Sequence, residues 1–323
     1  MRHSTGATSR FGGPHGPHGP HGRHGRTALF NRTATFNRTA PFTWTVLFVS
    51  AALFVLLGTP MGTAGAATAA PGTLTVAALG DSYSSGEGTP PFEAAFASCR
   101  RSAGAWPRLL ATLDPPATNV LHAACGGATT EAMTKPQRGS PPQLEQLRAL
   151  PTPPDVVTLT IGGNDAGFSQ VMFSCVAWKC FWDGDDRRRR DYVEDVLPDV
   201  LVATYKEVKA AAPHSRIVVV GYPTVVPRSQ SDNTCRWLDK SERRQLASLN
   251  NALNRTIRRA ASDAGVEYVS TDRSLRGHEM CTKDSWVNPI GLFGASRSLS
   301  AHPTRAGQEA LAKTVHRALF DDR

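Results

Sequence analysis

The chain has 323 residues, 36 of them basic and 27 acidic, a formal charge of +9, and 40% apolar residues. That length allows one large domain or two ordinary ones, but the charge is concentrated: Arg2, Arg10, Arg23, Arg26, Arg32 and Arg38 precede residue 42 without a single acid among them. With the low-complexity run GGPHGPHGPHGRHG, this excludes a packed core over residues 1–41.

Next in order is the uncharged segment WTVLFVSAALFVLLG (Trp44–Gly58), then small residues at Ala64 and Ala66. A basic region, a short apolar core and an A-x-A site predict a secretory leader over residues 1–66, removed at or near Ala66, with no stable membrane anchor left afterwards. The competing reading is a membrane anchor, which needs about 20 apolar residues. No Arg-Arg pair precedes the apolar core, which points to general secretion rather than a twin-arginine route. Removing the leader takes six of the 36 basic residues and none of the 27 acids, leaving +3. A nucleic-acid partner is therefore not expected. RRRR at 187–190, beside DGDD, reads as a solvated, self-paired loop. The histidine-rich tract could hold a metal only weakly and is lost with the leader, so neither metal nor cofactor is expected.

From residue 73 onward, β-branched runs alternate with helical patterns. Strands are predicted at 73–79, 119–124, 155–162, 216–222 and 266–271. Helices are predicted around Tyr192–Ala212, from Ser241 to a stop at Gly265, and after the N-cap Thr304, with Leu311, Val315 and Leu319 facing inward and His316 outward. Alternation of this kind means a single α/β domain over 67–323, a three-layer α/β/α sandwich around a mainly parallel five-stranded sheet. Six cysteines, Cys99, Cys125, Cys175, Cys180, Cys235 and Cys281, all lie in this part. In an exported chain they read as three disulfides, whose pairing the spacing leaves open.

Ligand sites in such sheets collect at the carboxyl ends of strands. Three polar clusters stand there or beside the last helix: GDS at 80–82, GGND at 162–165 and HPT at 302–304. A serine becomes a nucleophile only when a base takes its proton and donors meet the oxyanion that forms. Ser82 is the candidate nucleophile, with Asp81 bracing its turn. Of the histidines past the leader, His122 and His214 have ordinary structural readings, whereas His302 is fixed at a helix mouth by Pro303 and Thr304. Asn164 could place an amide over a reacting centre, and a backbone N–H in ACGGATT (124–130) could add a donor.

Together, GDSYSSGEG, CGGATT, GGND and HPT resemble the four blocks of the SGNH, or GDSL, hydrolases, over roughly residues 74–320, and most of all their secreted actinobacterial esterase and lipase branch. The resemblance implies Ser82 as nucleophile, His302 as base, and an oxyanion hole from the Ser82 amide, Gly127 and Asn164. It also implies sequential disulfides, Cys99–Cys125, Cys175–Cys180 and Cys235–Cys281, and a monomer that hydrolyses carboxylic esters, lipid aggregates among them, through an acyl-enzyme. Two positions depart from the family pattern. Tyr83 replaces a leucine whose side chain is expected to face away from the chemistry. Leu299 stands where the family commonly has the acid three residues before the histidine, so a Ser-His dyad is expected, with the Leu299 carbonyl, or failing that Ser300, orienting the ring. Phospholipids, acetylated polysaccharides and suberin are alternative substrates, the aromatics Phe173, Trp178, Phe181 and Trp182 being a possible acyl rim. A catalytically inactive secreted binding module is the non-enzymatic alternative.

Overall fold

The computed structural model describes residues 73–177, 180, 184–227, 234–235, 237–291 and 293–321; the predicted leader, with its cleavage site, and Trp178, Phe181 and Trp182 lie outside them. Five strands, β1 (Leu74–Gly80), β2 (Ala117–His122), β3 (Val156–Thr160), β4 (Arg216–Val220) and β5 (Glu267–Val269), form one sheet. All neighbours pair in parallel, in the order β2-β1-β3-β4-β5. β2 begins and ends two residues earlier than the sequence pattern suggests, because Ala123 and Ala124 leave the ladder and turn their amides to the Ala78 carbonyl.

Side chains alternate across each strand, so the two faces need separate covers. Ala77, Leu79, Val157, Leu159 and Val219 pack under the Leu197–Ala211 and Lys240–Ala264 helices. Val76, Val156, Val218 and Val220 pack against Trp106, Leu110 and the Arg305–Phe320 helix. The result is the three-layer α/β/α sandwich.

The long helix starts on a capping box, Asp239 accepting from Glu242 N while the Glu242 side chain accepts from Asp239 N, and stops at Gly265 with φ 64°. The helix predicted around 192–212 is really two segments, with a further helix ahead of it. RRRR lies in a helix, Asp185–Asp191, rather than in a loop, with Asp185 paired to Arg188 and Arg189. A π turn follows over Tyr192–Val196, and the α-helix resumes at Leu197. Pro198, which has no N–H to give the preceding turn, accounts for the break.

His316 is a correction. It is 8% exposed rather than outward-facing, its Nε2 meeting the Pro115 carbonyl at 2.7 Å. The segment before β2 covers a second side of that helix, which a stripe counted toward the sheet misses. Thr304 occupies the N-cap position, but its hydroxyl donates to Trp286 O rather than capping the helix.

Candidate active site

Parallel strands end on a common edge, and the chain crosses from one side of β1 to the other on its way from β2 to β3. A crevice opens where strand order reverses in this manner, here beyond the ends of β1 and β3. An open cleft of about 820 Å³ lies at that edge, lined by Ser82, Gly127, Asn164 and His302 among others.

β1 ends because only glycine fits at residue 80. Its φ is +122°, and a Cβ would collide with the Thr160 carbonyl oxygen. The next residue, Asp81, is buried and caps the short Ser82–Ser85 helix, Oδ1 accepting from Tyr83 N at 3.0 Å. Its Oδ2 accepts from the Tyr222 hydroxyl, which in turn accepts from Gly163 N at 2.9 Å. Gly163 has no room for a side chain, since a Cβ would come within 2.9 Å of the Tyr222 ring. Thus the turn carrying Ser82 and the turn carrying Asn164 are fastened to one phenol. Burial pushes Asp81 up to about 7, the Tyr222 hydrogen bond opposing it. The Ser82 N–H belongs to a helical first turn, where no intrahelical acceptor exists.

The loops after β2 and β3 are tied together as well. Asp165 accepts from both Thr130 N and Thr130 Oγ1, and the Asn164 side-chain amide donates to Ala128 O at 2.8 Å, leaving its second N–H uncommitted. Cys99 and Cys125 are bonded, and Gly126 N donates to Cys99 O, which sets Gly127 (φ 75°) at the cleft. Cys175–Cys180 and Cys235–Cys281 are bonded too.

Ser82 and His302, 220 residues apart, meet with Nε2 2.7 Å from Oγ. His302 is reached through a backbone clamp. Asn288 N and Nδ2 both donate to the His302 carbonyl, at 2.9 and 3.0 Å, and Ala301 N donates to Asn288 O. Ala301 itself sits at φ 58°, a left-handed conformation unfavourable for alanine. Tyr83 OH donates to its carbonyl at 2.9 Å.

This corrects the reading of Tyr83. Far from facing away, its ring packs 5.5 Å from the His302 ring and edge-on to Tyr222 at 5.2 Å, and it lines the cleft.

On the other side of the imidazole, Nδ1 is buried and has no partner in hydrogen-bond geometry. The Leu299 carbonyl accepts the backbone N–H of His302 at 3.1 Å. Burial pushes His302 down to about 4; the Leu299 carbonyl opposes this first, Ser300 and Ser298 less, while the Arg100 charge adds to the lowering. Among the described residues no carboxylate takes the Nδ1 position. Asp284 pairs with His278, Glu279 accepts from Gly277 N, and Asp272 accepts from Ser270. The other histidines stand apart: His122 gives Nε2 to Ser84 O while Nδ1 accepts from Arg108, burial pushing it down to about 3, and His214 is exposed. Tyr222 and Asn288 were missed in the sequence; nothing local to them marks a role. Among the described residues no three His, Cys, Asp or Glu side chains gather as a metal site, and no helix is long and apolar enough to cross a membrane.

Residues 78–310 match the GDSL-like Lipase/Acylhydrolase family. Lipase 2 of Streptomyces coelicolor is 34% identical over 272 residues, 80% of this chain and 90% of that protein. Lipase 1 of the same organism is 31% identical, over 72% of this chain and 81% of its own length. Among solved structures, phospholipase A1 from Streptomyces albidoflavus NA297 superposes with a TM-score of 0.65 at 33% identity, over 78% of this chain and all of its own. The extracellular lipase from Streptomyces rimosus superposes equally well, at 0.65, with 28% identity and the same coverage.

Proposed function

The chain belongs to the GDSL-like lipase/acylhydrolase family and is a carboxylic-ester hydrolase, and on that premise we propose that Ser82 and His302 carry the reaction as a dyad. Ser82 Oγ attacks the ester carbonyl while His302 Nε2 takes its proton. The carbonyl oxygen, now an oxyanion, receives hydrogen bonds from the Ser82 and Gly127 amides and the free N–H of Asn164. The tetrahedral species collapses, the alcohol leaves with the proton from Nε2, and the acyl group stays on Ser82. Water then attacks the acyl-enzyme by the same route, releasing the acid and restoring the serine.

The observation that carries this reading is the 2.7 Å contact of Nε2 with Oγ, made in the cleft that Gly127 and Asn164 also line. Phe168, Met172, Phe173 and Leu253 line the same cleft and offer acyl chains an apolar wall. The reading includes export, residues 1–66 being removed to leave one hydrolase domain over 67–323; the extracellular relative supports it.

A fluorophosphonate probe tests the dyad. Labelling at Ser82 that is lost in Ser82→Ala and nearly lost in His302→Ala is the expected result. Labelling elsewhere, or hydrolysis of p-nitrophenyl esters undiminished in both variants, overturns it.

A further inference from the structure

The same cleft is also lined by Arg100, Arg138 and Glu87. Their charges do not balance. Glu87, buried at 4% exposure, pairs with Arg100, and that pair is neutral. Arg138 is exposed, its Nη1 donates to the Ser98 carbonyl at 3.1 Å, and it pairs with no carboxylate among the described residues. Arg138 is close enough to Arg100 for its charge to lower the Arg100 pKa, second only to burial. Two guanidinium groups drawn together around a single acid repel one another, an arrangement that an added anion relieves.

The position of this surplus charge matters as much as its sign. Nη2 of Arg138 lies 3.3 Å from where a Cβ of Gly127 would be, so the guanidinium sits over the residue proposed as oxyanion donor. Gly126 is hemmed in by Glu87, and Gly126 N is held by Cys99 O, so the loop under Arg138 is set firmly. An anion on Arg138 is then held beside Gly127 and so beside the ester bond. Arg297, the other arginine of the cleft, lies over the Phe173 ring at 4.3 Å and belongs to the apolar side.

We propose that Arg138, backed by Arg100, is a subsite for a phosphate group carried on the alcohol side of the ester, so that the enzyme's favoured substrates are glycerophospholipids. The planar fork of arginine suits two phosphate oxygens at once, and a phosphate on the neighbouring glycerol carbon lies a few bonds from the scissile carbonyl. This deepens the proposed function and rests on the Ser82–His302 reading.

The test compares kcat/KM for dihexanoylphosphatidylglycerol and for neutral dihexanoylglycerol, both as monomers below their aggregation threshold, so that adsorption to a lipid surface plays no part. Arg138→Gln should lower the ratio of phospholipid to neutral ester on the order of 10- to 100-fold, the loss of a charge-assisted contact. Arg138→Lys, keeping the charge but not the fork, should fall in between, and Arg259→Gln, an exposed arginine paired with Asp263, should leave the ratio where it is. Inorganic phosphate should compete with the phospholipid weakly in the wild type and less in Arg138→Gln. A wild-type ratio preserved in Arg138→Gln overturns the subsite. Phosphate that binds Arg138 and leaves phospholipid turnover unaffected also overturns it, in favour of a free-anion site. Failure of the dyad reading looks different, since hydrolysis of both substrates would then survive Ser82→Ala.

Discussion

The nucleophile and the base of this site are held by opposite means. Ser82 stands on a turn fixed by side chains: buried Asp81 caps it, and Tyr222 ties Asp81 to the loop of Asn164. His302 stands on a loop fixed by main-chain carbonyls, which accept from Asn288 and Tyr83, while Nδ1 has no side-chain partner. A serine needs one fixed rotamer at the end of a rigid strand, and buried polar groups at the sheet edge supply it. An imidazole can be aimed by seating its backbone, at the expense of the charge stabilisation that a carboxylate gives to the imidazolium. The Ser82 side should therefore be brittle to substitution, and the His302 side graded.

Replacing the reacting groups has the largest effect. Ser82→Ala and His302→Ala should each lower kcat on the order of 10⁴–10⁶, and the double variant hardly further, because the two act as one unit. Losses that multiply in the double variant would separate their roles. Asn164→Ala comes next, at about 10²–10³ in kcat for one oxyanion donor, with KM for a p-nitrophenyl ester little changed; a loss in KM alone would make Asn164 a ground-state contact.

How far the sequence reaches follows the same division. The strands, the stop at Gly265 and the four polar blocks rest on period and on neighbouring residues, which is why they could be read. Contacts between Tyr83 and Ala301, 218 residues apart, or Tyr222 and Asp81, 141 apart, leave no local pattern. Tyr83 was misjudged because a one-letter departure from a family motif says nothing about which way the ring turns. His316 was misjudged because the width of a buried stripe depends on the Pro115 segment that packs on it.

Smaller effects test the base. Burial pushes His302 down to about 4 from 6.5, and it works as a base only when neutral. Activity should therefore rise with pH through the folded pKa, and the acid limb of kcat/KM should lie below 6.5, toward 4. A limb at 6.5 or above would mean an imidazole as solvated as a free one, unless Asp81→Asn removes it, since burial pushes Asp81 up to about 7. Tyr83→Phe removes one donor to the Ala301 carbonyl and keeps the ring. About 1 kcal/mol for that hydrogen bond predicts roughly a fivefold lower kcat at constant KM; no change would show that ring packing alone seats the loop.

The smallest expected effect discriminates most finely between a dyad and a triad. The Leu299 carbonyl accepts the His302 backbone N–H, Nδ1 has no partner in hydrogen-bond geometry, and that carbonyl is the leading influence that holds the His302 pKa up against burial. Alanine keeps that carbonyl, and the Leu299 side chain is only half-buried, so Leu299→Ala should leave kcat within about twofold, the range of surface substitutions that touch no special feature. Asp272→Asn, Glu279→Gln and Asp284→Asn should be as quiet in kcat, because each of these carboxylates is engaged elsewhere. If one of the three lowered kcat by about 10⁴, the loss seen when a triad acid is removed, that carboxylate would reach Nδ1 during turnover and the base would not be held by its backbone alone.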